Sequence, residues 1–444
     1  MIQNLSAKLC IFIGVASLSS AWSAGLIRDG ITARSQAMGG ADVAAARSPI
    51  EAMTANPAAL TETKNVAAEI SIDGVFLRAK LSRDHEKSAR LRNTANFIGD
   101  IAVALPTGYS AVRWGLSASP SSIAATDWRY RDREGGLDGK TTYGNIGHRS
   151  EFLAYDFRAG LGVDLTSWLS AGVAAGITYN HNFLNTAYIF QSQKTLKGFK
   201  TRLDLDTDGS AASGQIGITL KPASVFRISA AYTLPSEIHS KGHAQADLSA
   251  QLRSLGGGFA SVDPQLNADA EVLTKLPQKF TTGIAWQVTP ELLFSSEFEW
   301  IGWSSAFDEL PVTLSHSSND AVNQLVGSDR FTDVVPLHWR DQKVIRVGVE
   351  WELDPHWSLR GGFAHSSRVV PSETLTPLSS AIDDTIVSLG TGYRRDHWHL
   401  DFSWQWHLPK TRTVSNSILK TGEYDHSRLE LESHWLGLTY GLDF

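Results

Sequence analysis

The sequence predicts an all-β protein, namely a 14-stranded antiparallel transmembrane β-barrel with an N-terminal helical plug in its lumen. Three observations lead to this prediction. Stretches of alternating polarity recur after residue 66, and the connections between them alternate between short turns and long loops. The segment 24–65, by contrast, is rich in alanine and glycine and lacks the alternation. The chain therefore divides into a signal peptide (1–23), a plug segment (24–65) and a barrel (66–444).

The alternation is clearest in the closing stretch LGLTYGLDF. Leu436, Leu438, Tyr440 and Leu442 occupy every second position before Phe444, with small or polar residues between them. About fourteen stretches of this kind follow residue 66, which is an even number, as in bacterial outer-membrane barrels. Every second residue of such a strand faces the lumen, so the mean hydropathy of −0.15 does not argue against a membrane protein.

The connections between these stretches alternate in length. The predicted short turns are 106–109, 166–168, 221–224, 289–291, 354–356 and 394–397, and the predicted long polar loops are 81–94, 121–147, 183–199, 241–270, 304–338, 368–381 and 409–426. Outer-membrane barrels have short periplasmic turns and longer outer loops. Tryptophans near the short turns fit a membrane interface: Trp168, Trp286, Trp351, Trp357 and Trp398. A soluble β-sandwich is the alternative, and it leaves the asymmetry of the loops unexplained.

The first residues have the order of a secretory signal peptide. Lys8 precedes the apolar stretch LCIFIGVASL, and small residues follow it. Cleavage after Ala21-Trp22-Ser23 would make Ala24 the mature start, and cleavage after Ser19-Ser20-Ala21 also fits. Cys10 is the only cysteine in the sequence, so the mature chain is expected to contain no disulfide.

The segment 24–65 is rich in alanine and glycine and has no period-2 alternation. It predicts short helices, with Asp42 and Ser48 as candidate caps and Pro49 as a first helical residue. A segment with so few large apolar groups would not fold alone in water. It is therefore interpreted as a plug inside the lumen, and a flexible periplasmic tail is the alternative.

Two motifs in this segment resemble the FadL/TodX family of outer-membrane transporters of long-chain fatty acids and aromatic hydrocarbons. They are Gly39-Gly40-Ala41 and Asn56-Pro57-Ala58. Blocks at 276–307 and 339–371 are also similar to the family, and the resemblance covers essentially the whole mature chain. A departure occurs after the third strand, where SASPSSIAATDW replaces the family's Pro-Phe-Gly-like element.

The resemblance implies passive uptake of hydrophobic small molecules in the outer membrane. Ligand would be captured at an outer groove and passed to an inner apolar pocket, which the residues Ala24, Gly25 and Leu26 would occupy. It would then leave sideways through a wall opening at the third strand, around Ser117, Ser119 and Pro120. Proline breaks strand ladders, although Pro120 could also simply end its strand at the rim.

The end of the chain implies partners of its own. Tyr440, Leu442 and the terminal Phe444 resemble the signal by which outer-membrane barrels are recognised for assembly. The expected partners are therefore the barrel-assembly machinery, outer-membrane lipid and lipopolysaccharide, and the hydrophobic substrate itself. A monomer is expected. The formal net charge of −6 and the lack of a long basic run argue against nucleic acid.

The sequence contains no convincing metal-binding or catalytic motif. Asp204, Asp206 and Asp208 copy the start of a calcium loop, but Gln215 stands where that loop needs a glutamate. Alternation with Leu203 and Leu205 favours a lumen-facing acidic strand instead. We expect no metal, no cofactor and no enzymatic activity. A general diffusion porin or an outer-membrane hydrolase remains the alternative function.

Overall fold

The wall of the protein is one antiparallel sheet. The structure is a computed structural model, and it describes residues 26–84, 86–379 and 381–444. The predicted signal peptide, Ala24 and Gly25 lie outside the described residues. In chain order, strands β1 to β14 are Ala67–Arg83, Ala95–Pro106, Val112–Arg131, Asn145–Asp164, Leu169–Ile189, Lys200–Ala223, Phe226–Thr233 with Ser236–Asp247, Gln265–Leu276 with Lys279–Thr289, Leu292–Ile301 with Glu309–Ser315, Phe331–Pro336 with Gln342–Glu352, Trp357–Ser366, Thr385–Arg395, Trp398–Val414 and Ser427–Asp443.

The sheet closes on itself. Strand β14 pairs with β1 along its whole length, from Ala67 opposite Asp443 to Arg83 opposite Ser427. A two-residue strand, Ala89–Arg90, adds to the outer end of β1. Closure removes the open edge that would leave backbone N–H and C=O groups unpaired in hydrocarbon. The predicted 14-stranded antiparallel barrel is confirmed.

The outward face of the wall is apolar over the membrane-spanning part. Large side chains more than one-third exposed include Ile72, Ile101, Phe157, Ile177, Ile218, Phe280, Phe298, Ile345, Leu389, Phe402 and Leu438. Trp168, Trp286, Trp351 and Trp357 are also about half exposed, and all four lie near the short turns. Short turns mark the periplasmic end of an outer-membrane barrel, so this aromatic row marks the periplasmic interface. In the part of the chain that the structure describes, no helix is long and apolar enough to cross a membrane.

Several segments predicted as loops are strands. Strand β3 continues to Arg131, β5 continues to Ile189, and β6 begins at Lys200, so these strands rise well beyond the apolar band. Three short helices lie between the outer ends of the strands: α3 (Ser249–Leu255), α4 (Trp303–Ala306) and α5 (Asp320–Val326). Short 3₁₀ turns occur at Gly257–Ser261, Ser372–Thr374, Pro377–Ser379 and Lys420–Gly422. The prediction was wrong here because the outward face of a strand above the membrane meets water and is polar, so these ends resemble polar loops in sequence.

The segment before β1 lies inside the barrel and consists of short helices. Helix α1 is Ala33–Ala37, α2 is Pro49–Thr54, and a 3₁₀ turn follows at Pro57–Glu62. Ser48 caps α2 by accepting the N–H of Glu51, and Pro49 is at its first turn, as predicted. Asp42 does not cap a helix. Its carbonyl instead accepts the N–H of Ala46 (2.6 Å) in a turn.

Candidate functional site: plug, apolar cavity and wall gap

The plug is held in the lumen by buried ion pairs to the wall. Arg28 contacts Asp73 and Asp100, the latter at 2.8 Å. Arg346, which projects from β10, lies 2.7 Å from Asp29 in the plug and 2.8 Å from Glu297 in β9. A buried charge is tolerated only when it is paired. These pairs therefore fix the position of the plug relative to at least four strands.

A second cluster centres on Arg34 in helix α1. Its Nε lies 2.9 Å from Glu350 in β10, and its Nη1 lies 3.1 Å from Glu51 in α2. Burial alone would raise the pKa of Glu51. The Arg34 guanidinium, helped by the backbone N–H of Arg47, nevertheless holds that pKa below its ordinary value. Glu51 is therefore an anion that joins the two helices of the plug, and Arg34 links them to Glu350 of the wall.

The predicted plug motifs lie where the chain touches the wall most closely. Gly39 has φ +67°, and a Cβ added at Gly362 of β11 would come within 2.1 Å of its backbone N. Only glycine permits that approach. Asn56 accepts the N–H of Ala58 (3.0 Å) and donates to the Val43 carbonyl (3.0 Å), so it closes the turn that Pro57 begins. Gly40 is also in the left-handed region, at φ +78°, and Ala41 is fully buried.

We predict that Arg34→Ala loosens the plug. Among the described residues Arg34 is the one ion-pair partner of Glu51. Removing one member of a buried pair costs about 3–5 kcal/mol. We expect higher steady ion conductance in planar bilayers and faster protease cleavage of the plug, with the barrel still heat-modifiable on gels.

The matched control for this variant is Arg92→Ala. Arg92 forms an ion pair with Asp127 on the surface, and its side chain is 55% exposed. Exposed pairs contribute only about 0–1 kcal/mol, so this variant should behave as the unmodified protein does. Equal conductance of the two variants would contradict the anchoring role of Arg34.

An apolar cavity of about 190 Å³ lies above the plug, towards the outer end of the barrel. Leu26, the first described residue, lies at its wall together with residues of β3 to β6, of β8 to β10 and of the outer loops. They include Phe152, Phe183, Phe190, Leu203, Leu205, Phe307, Leu310, Phe331, Trp339 and Leu378. Sequence analysis did not find these residues. Phe190, Phe307 and Phe331 could have indicated a buried apolar site, because they are large aromatic residues in segments that were predicted to be polar loops.

The wall is incomplete between β2 and β3. Their ladder runs from Pro106 opposite Arg113 to Ile101 opposite Ala118 and stops there. Further along β3, the chain before β2 joins it again through the bridge between Leu91 and Trp128, the N–H of Arg92 to the Asp127 carbonyl (2.8 Å), and the side-chain amide of Asn93 to the Ala125 carbonyl (3.1 Å). The stretch of β3 from 119 to 124 lies between the end of the ladder and these bonds, and we call this interval the wall gap.

Pro120 lies at the wall gap but does not end its strand. Strand β3 continues beyond it, and its pairing with β4 shifts register between Pro120 and Ser122. Ser119 donates to Asp100, and the hydroxyl of Tyr155 donates to the Gly99 carbonyl (2.8 Å) across the gap. The predicted exit residues Ser117, Ser119 and Pro120 thus lie together at an interruption of the ladder.

A second cavity, of about 110 Å³, lies behind the wall gap. Its lining includes the three predicted exit residues and, from the plug, Ile27 and Arg28. The lining of this cavity is mixed: Asp156 and Arg158 form an ion pair there, whereas Ile27 and Leu276 are apolar. Leu26 lines the apolar cavity and the next two residues line this one. The N-terminal segment therefore separates the two cavities.

The acidic stretch of β6 faces away from the lumen. Leu203 and Leu205 are buried and line the apolar cavity, whereas the side chains of Asp206 and Asp208 are more than half exposed. The prediction of a lumen-facing acidic strand was wrong. Residues 200–223 form one continuous strand, so there is no calcium loop either. Nδ1 of His181 lies 3.0 Å from Oδ1 of Asp208 on the same outer surface.

Comparison with known proteins identifies the family. The profile described as outer membrane protein transport protein (OMPP1/FadL/TodX) matches residues 14–444. The chain belongs to this family. It is accordingly an outer-membrane protein of a family of transport channels. No curated protein matches it in sequence.

Solved structures show the same fold at low sequence identity. A Pseudomonas aeruginosa FadL homologue aligns with a TM-score of 0.75 at 15% identity, over 95% of this chain and 100% of that chain. The Ralstonia pickettii toluene transporter TbuX aligns at 0.70 and 18%, over 95% and 99%. The Pseudomonas putida toluene transporter TodX aligns at 0.72 and 17%, over 94% and 99%. At these identities the likeness shows the shared fold.

Proposed function

We propose that this protein carries small hydrophobic molecules passively across the outer membrane. The ligand would enter the apolar cavity, pass the N-terminal segment at Leu26 and leave sideways through the wall gap into the membrane. The supporting observation is the arrangement of two cavities on either side of residues 26–28, one apolar and open to the outer loops, the other behind the interrupted ladder.

Physical chemistry favours a lateral route over an aqueous one. Each CH₂ group removed from water contributes about 0.8 kcal/mol, so a lipophile gains more by entering the bilayer than by crossing into the periplasm. The periplasmic side of the plug is a polar vestibule of about 650 Å³, lined by Arg34, Glu51, Asp354 and His356 among others. A lipophile would gain nothing by entering it.

The test is uptake by cells whose own channels for hydrophobic compounds have been deleted. Cells that express the chain should take up a radiolabelled lipophile several-fold faster than cells with an empty vector. Their permeability to small sugars should stay unchanged, because the plug occupies the lumen. Sugar entry without lipophile uptake would support a general diffusion porin instead. Binding of the barrel-assembly machinery and of lipopolysaccharide, the monomeric state and the absence of enzymatic activity stay predictions.

A further inference from the structure

We propose that the apolar cavity is built for an uncharged, ring-sized lipophile that carries one hydrogen-bond acceptor, such as an aromatic ketone, and that it rejects carboxylates. This inference rests on the proposed function and specifies its ligand. It follows from three properties of the cavity: its charges, one unpaired donor, and its size.

The charges around the cavity are negative. No lysine, arginine or histidine is among the described residues that line it, whereas Glu151 and Asp333 are. Asp333 is already satisfied: it accepts the N–H groups of Gln191 (2.8 Å) and Gln193 (2.8 Å) and the hydroxyl of Tyr188. A ligand carboxylate would lose its hydration here without gaining a cation, and burial of an unpaired charge is strongly unfavourable.

An arginine on strand β4, Arg149, lies near the cavity but is not available to pair with a ligand carboxylate. Arg149 donates to Glu151 through its Nε (2.8 Å), its guanidinium lies over the ring of Phe183 (5.0 Å), and its side chain is 55% exposed. Arg149 and Glu151 therefore compensate each other, and Asp333 is the remaining charged residue in the described lining.

One buried donor at the cavity has no partner. Trp339 is 3% exposed and lines the cavity, and its indole Nε1 has no hydrogen-bond partner among the described residues. Two other buried tryptophans are satisfied: Trp303 donates to Gln342 (3.1 Å) and Trp128 donates to the Pro377 carbonyl (3.1 Å). A buried N–H without a partner is unfavourable, so a ligand with an acceptor oxygen would be favoured at this position.

The size and the lining suit a single ring. A dry apolar cavity of about 150 Å³ binds benzene, and this cavity is about 190 Å³. The Trp339 ring stacks on Phe307 with centroids 4.9 Å apart, and Phe152 contacts Phe307 edge-on at 6.1 Å. Such aromatic walls favour a ring as ligand. The extra volume leaves room for a short substituent that carries the acceptor.

The experiment compares three ligands of similar size on the full chain purified in detergent at pH 8: acetophenone, ethylbenzene and benzoate. Binding is measured by calorimetry and by the change in tryptophan fluorescence. Acetophenone and ethylbenzene should bind, and ionised benzoate should bind at least about a hundredfold more weakly than acetophenone.

The diagnostic variant is Trp339→Phe, which keeps the ring and removes the N–H. Affinity for acetophenone should fall about tenfold, the loss expected for one buried hydrogen bond, while affinity for ethylbenzene should change less than about twofold. Trp168→Phe, at a half-exposed periplasmic position, is the matched control and should change neither affinity.

A second variant adds a cation without touching Trp339. Leu310→Lys introduces an ammonium group at the cavity wall and should admit benzoate. The inference is overturned if the unmodified protein binds benzoate as tightly as acetophenone, or if Trp339→Phe weakens both neutral ligands equally. If benzoate is bound best and is taken up by cells, the transport proposal stands and this inference fails. If none of the three ligands binds and uptake equals that of empty-vector cells, the transport proposal fails too.

Discussion

Deletion of residues 27–60 should turn a closed channel into an open pore. A fourteen-stranded barrel is wider than the eight-stranded kind that its own side chains fill, and it approaches the porins that contain a water channel. The deleted residues carry both helices of the plug and Arg28, Asp29 and Arg34, which bond the wall. We expect steady conductance in planar bilayers to rise roughly tenfold or more, towards porin-like values.

The control for this deletion is the state of the barrel itself. Strand β1 begins at Ala67, so the deletion leaves every wall ladder intact, and the protein should still migrate as a heat-modifiable barrel on gels. Arg34→Ala should give an intermediate conductance, since it loosens the plug without removing it. If the folded deletion variant conducts no better than the full chain, residues 27–60 do not block the lumen.

Filling the wall gap should stop uptake and spare binding. Ser119→Trp places a large side chain in the 110 Å³ cavity behind the gap. We expect the indole ring to raise the barrier to passage by about 1.4 kcal/mol or more, which is a tenfold or greater fall in rate. Ligand affinity should stay the same, because Ser119 does not line the apolar cavity.

Two controls separate blockage from other effects. Ser119→Ala removes the hydrogen bond to Asp100 without adding volume, so it isolates the effect of the lost bond. Ser328→Trp adds the same volume at an exposed outer position and should leave uptake unchanged. Normal uptake by a correctly assembled Ser119→Trp barrel would show that the ligand leaves by another route.

The alternation of polarity along the chain was sufficient to identify the barrel. Within the bilayer the outward face of each strand must be apolar, so period-2 alternation identifies both the strand and its lipid face, as at Leu436 and Leu438. The short turns followed from the same pattern. Only the family resemblance indicated the plug glycines, and the structure supplies their physical reason, since Gly39 has φ +67°, a conformation that favours glycine.

The arrangement of the chain beyond the membrane could not be predicted from local sequence. There the outward face of a strand meets water and the inward face lines an apolar cavity, so the rule that holds in lipid is reversed. For this reason Asp206 and Asp208 point outward while Leu203 and Leu205 point inward. The cavity combines residues from seven strands, and the wall gap depends on where the β2–β3 ladder stops. The alternation of residues along one strand predicts neither the cavity nor the wall gap, because both depend on which distant residues the closed barrel brings together.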